Sequence, residues 1–190
     1  MRDVTITWVL SHPSIIGGTG RVVEIKHFTH TERKRNRKSS DETIVNLVFG
    51  AFCKETREGI LQVVPNLEAS TLLPIIRDRI LPGSIIQTDQ WLDCYSAIEN
   101  LPVQPPFLLK TIIKPECSDD PLEVGNQLRS LSSMWDSAKK RFRHAKNISS
   151  KTNLETFLQE FMYKHYSDCK TKEAQFFATL GHISDCYPCP

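Results

Sequence analysis

The chain has 190 residues, 24 Lys and Arg against 22 Asp and Glu for a formal net charge of +2, and 39% hydrophobic residues. That is enough chain to bury one substantial core and too little for two full-sized ones, and the ordinary charge content excludes both a disordered acidic tail and a globally basic polymer binder. No apolar run approaches the roughly 20 residues of a membrane span. Residues 1–20 hold no long apolar stretch ending at a small-residue cleavage site, so no signal peptide is expected. With no export signal, the six cysteines read as reduced thiols rather than a disulfide framework.

In chain order, Gly17-Gly18-Thr19-Gly20 marks a turn, and the β-branched stretch Arg21 to Phe28 after it reads as a strand. Arg33-Lys34-Arg35-Asn36-Arg37-Lys38 reads as an exposed basic loop. Thr43 to Phe52 is nearly continuously apolar, as a central strand covered on both faces would be. A polar turn, Lys54 to Gly59, separates it from a third strand at Ile60 to Val64. Glu68 to Leu81 has helical periodicity, with Leu72, Leu73, Ile76 and Ile80 on one face, Pro74 in its early part, and Pro82-Gly83 ending it. Ser84 to Thr88 is a short strand, Asp89 to Asn100 a short helix, Leu101 to Pro106 irregular, and Leu108 to Ile113 a fifth strand.

Beyond that point three helices are expected. The first, Asn126 to Lys146, sets Leu128, Leu131, Trp135, Ala138 and Phe142 against a basic face. The second, Asn153 to Tyr166, carries Leu154, Phe157, Leu158, Phe161 and Met162, and the third is Lys172 to Ile183. The order β-β-β-α-β-α-β-α-α-α predicts a mixed sheet with helices packed around it.

Chemistry-bearing motifs are sparse. The glycine run precedes a strand rather than opening a helix, so it is no phosphate loop. Cys186-Tyr187-Pro188-Cys189 has zinc-ligand spacing and could join His165 and Cys169, although terminal residues commonly fray. Asp89 follows a short apolar strand, where α/β sheets place their sites, and could equally cap the helix after it. Two basic clusters, Arg33–Lys38 and the stretch from Arg129 to Lys151 with seven Lys/Arg and one acid, are the natural phosphate-facing surfaces.

Several segments together carry a resemblance. Glu24-Ile25-Lys26-His27-Phe28, Leu72-Leu73-Pro74-Ile75-Ile76, Pro82-Gly83, Thr88-Asp89-Gln90-Trp91 with Tyr95, Ser133-Met134-Trp135 with Lys139, and Phe157 to Met162 follow in order. In that order the chain resembles Merlin-type transposases and the related bacterial insertion-sequence (ISXO-like) transposase domain over roughly residues 15 to 188. The resemblance implies an α/β, ribonuclease-H-like mixed five-stranded sheet flanked by helices, with an α-helical C-terminal part. It also implies a site of three acidic positions holding two divalent metals, which activate the attacking oxygen and stabilise the leaving one. The family's Glu-Ile-Asp-Glu falls on Glu24-Ile25-Lys26-His27, its second Asp on Asp89, and its Ile-Glu-Ser-Leu/Met-Trp on Leu131-Ser132-Ser133-Met134-Trp135. Asp89 therefore stands alone, with Lys26 and Ser132 at the other two positions.

The resulting expectation is a transposase-derived DDE domain that is inactive in DNA cleavage and strand transfer, a Lys26–Asp89 contact standing where the metals would. No cofactor is expected; Mg²⁺ or Mn²⁺ would serve an active form, with Glu24, His27 or His30 as substitute ligands beside Asp89. The expected partner is DNA, bound weakly through phosphates by Arg33, Lys34, Arg35, Arg37, Lys38, Lys139, Lys140, Arg141, Arg143 and Lys146. No membrane association is expected, and a homodimer is left open. The alternatives are an active metal-dependent nuclease or transposase built on substitute ligands, or a transposon remnant serving as an interaction scaffold, with Trp135 and the Phe157/Phe161/Met162 face as core or partner surface. The expected organisation is an extension at 1–20, the ribonuclease-H-like domain at 21–166, and a C-terminal helix and tail at 167–190. The expected location is intracellular, and nuclear in a eukaryote.

Overall fold

The apolar run from Thr43 to Phe52 calls for cover on both faces, and the fold supplies it over residues 48–52 from two helical layers, while Val45 stays exposed. The computed structural model describes residues 2–34, 42–89, 95–112, 129–144, 151–166 and 172–186. Its elements are α1 (Arg2–Ser11), β1 (Ile16–Gly17), β2 (Val22–Lys34), β3 (Glu42–Cys53), β4 (Gly59–Val64), α2 (Ala69–Arg79), β5 (Ile80–Leu81) and β6 (Ile85–Asp89). They continue with α3 (Tyr95–Glu99), β7 (Leu108–Ile112), α4 (Arg129–His144), α5 (Lys151–Tyr166) and α6 (Lys172–Cys186).

Strands β2, β3 and β4 form an antiparallel meander, and β6 and β7 extend it parallel to β2, in the order β4-β3-β2-β6-β7. This is the mixed five-stranded α/β sheet of the ribonuclease-H-like arrangement expected from the sequence, with β2 at its centre. One face carries Val23, Ile25, Phe49, Ala51, Cys53 and Ile86 and is covered by Leu72 and Ile76 of α2 and Ile98 of α3. The other carries Phe28, Val48, Phe52, Leu61 and Val63 under α4 and α5, which contribute Leu131, Trp135, Ala138, Phe142, Leu154, Leu158 and Phe161. The described residues of these helical faces lie in or against the core, which removes Trp135, Phe161 and Met162 as a partner surface; Leu128 lies outside the described residues.

Three features depart from the sequence reading. Residues 2–11, expected only as an extension, form α1, whose run Val4-Thr5-Ile6-Thr7 is a poor helix former on its own. Tertiary contacts hold it: Trp8 stacks between His12 and His182 at 4.8 and 4.5 Å, with Tyr163 edge-on at 5.4 Å. Helix α2 stops at Arg79 rather than at Leu81, because Ile80 and Leu81 pair in parallel with Ile16 and Gly17. Arg33 and Lys34 belong to β2, paired with Thr43 and Glu42, rather than to a loop. Arg35, Arg37 and Lys38 lie outside the described residues. Among those residues, no helix is long and apolar enough to cross a membrane.

Candidate functional site on the central strand

Side chains alternate along a strand, so with Val23 and Ile25 in the α2-side core, Glu24, Lys26, Phe28 and His30 fall in a row facing α4. Glu24 pairs with Phe52 on one side and Gln87 on the other, and Lys26 pairs with Gly50. Gly50 sets how closely α4 approaches. A Cβ there would stand 2.8 Å from Phe28 Cε2 and 3.2 Å from Leu131 Cδ1, so a bare backbone is what admits both side chains. Phe28 in turn stacks on Trp135, with ring centroids 4.9 Å apart.

Within this row Glu24 is fully buried, at 0% exposure. Taking a carboxylate out of water costs several kcal/mol unless charge and hydrogen bonds are returned to it. Here both are. Lys54 Nζ lies 3.0 Å from Oε1, and the Leu131 backbone N–H donates to Oε2 at 3.3 Å. Leu131 is the third residue of α4, so its N–H is among the first four that no intrahelical carbonyl can accept. Glu24 thus caps, from the middle of the sheet, a helix 107 residues further along, and its charge faces the positive end of that helix's dipole. Lys54 Nζ also donates to Gln87 Oε1 at 2.9 Å, bridging β2 and β6 through one ammonium. Burial pushes the Glu24 carboxyl above its ordinary 4.5, against the opposing pull of the Lys54 hydrogen bond and charge, the Leu131 N–H and the Lys26 charge.

The turn after β3 aims Lys54. The Lys54 N–H donates to the Val22 carbonyl at 3.1 Å, and the Glu55 carboxylate accepts the Val22 N–H at 3.1 and 3.2 Å. Desolvation works to raise the Glu55 carboxyl, but the Val22 N–H, its own N–H, the Cys53 thiol and the Lys54 charge together hold it below 4.5. These bonds sew the turn to the start of the central strand.

The sequence-predicted site residues separate as follows. Lys26 is half-buried on the α4-facing row, and Ser132, also half-buried, follows Leu131 in the first turn of α4. The backbone of Asp89 ends β6 opposite Ile112, while its side chain lies outside the described residues, and with it the expected Lys26–Asp89 contact. His27 pairs with Phe49 and falls on the α2 side, away from Lys26. His30 shares Lys26's side, its ring 5.2 Å from that of Phe142. Of the basic residues, Lys140 and Arg141 are exposed on α4. Lys139 lies 3.6 Å from Asp136 and over the Trp135 ring, and the Arg141 guanidinium sits over Phe161 at 5.4 Å. Arg143 is described in backbone only, as are Arg33 and Lys34, and Lys146 lies outside the described residues. So do Cys169 and residues 187–190, together with the side chains of His165 and Cys186, that is, the whole zinc-spaced set.

Lys54 was not among the residues singled out from sequence. Within Lys54-Glu55-Thr56-Arg57-Glu58-Gly59 it looks like any solvated turn lysine. The available signal was on the other partner, an acid inside Val22-Val23-Glu24-Ile25, which a buried strand tolerates only with a cation beside it.

The described donor set does not fit a divalent ion. One Glu24 oxygen faces an ammonium, the other accepts an N–H, and Lys26 adds a second positive charge. Among the described residues, no three His, Cys, Asp or Glu side chains group so as to hold a metal.

Among solved structures, the chain is similar to the catalytic core domain of BIV integrase, with 14% identity and a TM-score of 0.47 over 87% of this chain and 97% of that one. A likeness of that size carries no functional argument, and the fold assignment stands on strand order and strand sense. No protein-family model matches the chain, and no curated protein matches it.

Proposed function

We propose that the chain is a transposase-derived domain that binds nucleic-acid phosphates and does not cut them. The observation that carries this reading is the central row of β2. Lys26 stands where the resemblance expects the first metal-holding carboxylate, and the acid next to it in the row, Glu24, is already neutralised by Lys54 at 3.0 Å. Binding rests on α4, where Lys140 and Arg141 are exposed while Leu131, Trp135 and Ala138 are buried. Lys139 and Arg141 are partly engaged by Asp136 and Phe161, which favours loose, sequence-independent contact with phosphates over base readout.

Two assays test this reading. Plasmid nicking in Mg²⁺ and then Mn²⁺ is expected to be absent for the unaltered protein and to appear in a Lys26→Asp/Ser132→Glu variant. Nicking by the unaltered protein that Asp89→Ala abolishes would overturn the inactive reading. Duplex DNA binding followed across salt should lose up to about 2.7 from its log–log slope, about 0.9 per phosphate contact, when Lys139, Lys140 and Arg141 are all changed to Ala. An unchanged slope removes α4 as the binding surface.

A further inference from the structure

Whatever the domain binds on its surface, the Lys54 ammonium meets Glu24 and Gln87 together. Its two oxygen donors come from neighbouring strands at paired positions, Glu24 Oε1 on β2 and Gln87 Oε1 on β6, and both side chains are buried. Between them, 3.0 and 2.9 Å away, sits one ammonium nitrogen. The donor set carries a single negative charge and one neutral carbonyl, which matches a monovalent cation. The second Glu24 oxygen is committed to the Leu131 N–H, so the carboxylate cannot chelate through both oxygens without uncapping α4. Lys26, on the same row, adds positive charge that repels a divalent ion. The Lys54 side chain is 27% exposed, so the site is reached from solvent along its aliphatic stem, while the carboxylate at its floor is closed off.

We propose that Glu24 and Gln87 form a site for a primary ammonium group, filled in the native chain by the tethered amine of Lys54 and selective for that chemistry over Mg²⁺ or Mn²⁺. Lys54 is then a positioning residue. It neutralises Glu24 so that the carboxylate can stay buried and hold the first turn of α4 against the sheet. Cutting the Lys54 side chain back to Ala removes three methylenes and the ammonium, the shape of n-propylammonium.

The test is chemical rescue of folding. The Lys54→Ala protein is heated in rising n-propylammonium chloride, with NaCl, MgCl₂ and MnCl₂ at matched ionic strength as the other arms. A saturable recovery of at least half the lost Tm with n-propylammonium, absent with NaCl and absent from a Glu24→Gln/Lys54→Ala protein, is the expected result. Equal responses in the single and double variants would overturn the site, since the amine would then act generally. Recovery with Mg²⁺ or Mn²⁺ but not with the amine would overturn the selectivity and assign a divalent site. If Lys54→Ala does not fold, the unaltered chain decides through native-state acetylation by acetic anhydride. Lys54 is expected to react at least tenfold more slowly than Lys140 and to lose that protection in Glu24→Gln, whereas equal rates at Lys54 and Lys140 in the unaltered protein would overturn the proposal. Neither readout involves DNA, so failure here leaves the phosphate-binding reading standing, and failure of that reading leaves this site standing.

Discussion

Replacing Lys54 by Met keeps most of the side chain's volume and removes its charge, leaving Glu24 buried at 0% exposure with the Leu131 N–H and the more distant Lys26 charge. An unpaired buried carboxylate has one escape, which is to take up a proton. Lifting protonation from the ordinary 4.5 to pH 7, at about 1.36 kcal/mol per pH unit, sets a ceiling of about 3 kcal/mol on the charge penalty. Because burial already holds Glu24 above 4.5 in the unaltered chain, the true difference lies below that ceiling. For a chain of this size, about 3 kcal/mol corresponds to a fall in Tm of about 10 °C. At pH 5 the same reasoning leaves about 0.7 kcal/mol and a fall of about 2 °C.

The sign follows from linkage. A carboxyl whose folded-state pKa is raised favours the fold where it is protonated, and that advantage is lost as pH rises from 4.5 through the folded value. Lys54→Met should therefore approach the unaltered protein in stability as the solution is acidified. Thermal unfolding of both proteins in steps from pH 7.5 to 5 measures this directly. A Tm difference that stays constant with pH, or that grows toward pH 5, would refute the claim that Lys54 acts by neutralising Glu24.

Glu24→Gln should cost less than Lys54→Met at pH 7, about 1–2 kcal/mol by denaturant titration. The amide oxygen can still accept from Leu131, and Lys54, 27% exposed, can turn its ammonium to water. Gly50→Ala should destabilise by about 1–3 kcal/mol, because its Cβ would stand 2.8 Å from Phe28 and 3.2 Å from Leu131, and it should also loosen α4, seen as faster amide exchange at Leu131. Glu55→Gln should remove a stabilisation of under about 1 kcal/mol that is present above pH 4.5 and disappears as pH falls through the depressed Glu55 value; a loss that does not shrink on acidification would contradict its cause.

The strand order was legible because its signals are local. Thr43 to Phe52 reads as a central strand, and the 3.6-residue spacing of Leu131, Trp135, Ala138 and Phe142 announces the buried face of α4. What escaped is non-local. Helix α1 forms against His182 and Tyr163, from the far end of the chain, so its own propensity points the wrong way. Charge misled at Arg33 and Lys34, which look like loop residues until β3 is folded back and sets Thr43 and Glu42 opposite them.

The site divides along the same line, between what a residue requires and what meets the requirement. Glu24 declared its need in the sequence, an acid among Val22, Val23 and Ile25 that no buried strand holds unpaired. Its nearest neighbours in the chain meet that need only in part: Ile25 and Val23 face the opposite core, and Lys26, two residues on, contributes its charge at longer range than Lys54. The two groups that do meet it arrive by topology. The tight meander returns Lys54 to the start of β2, and α4, after β6 and β7 have been added, brings its uncapped N–H down over the same carboxylate. Neither contact survives a change in strand order, so the pairing of Glu24 with Lys54 and Leu131 is itself a chemical check on the β4-β3-β2-β6-β7 sheet. Without Lys54 the same fold buries a carboxylate stripped of its nearest cation, and the pH dependence of Lys54→Met measures what that costs.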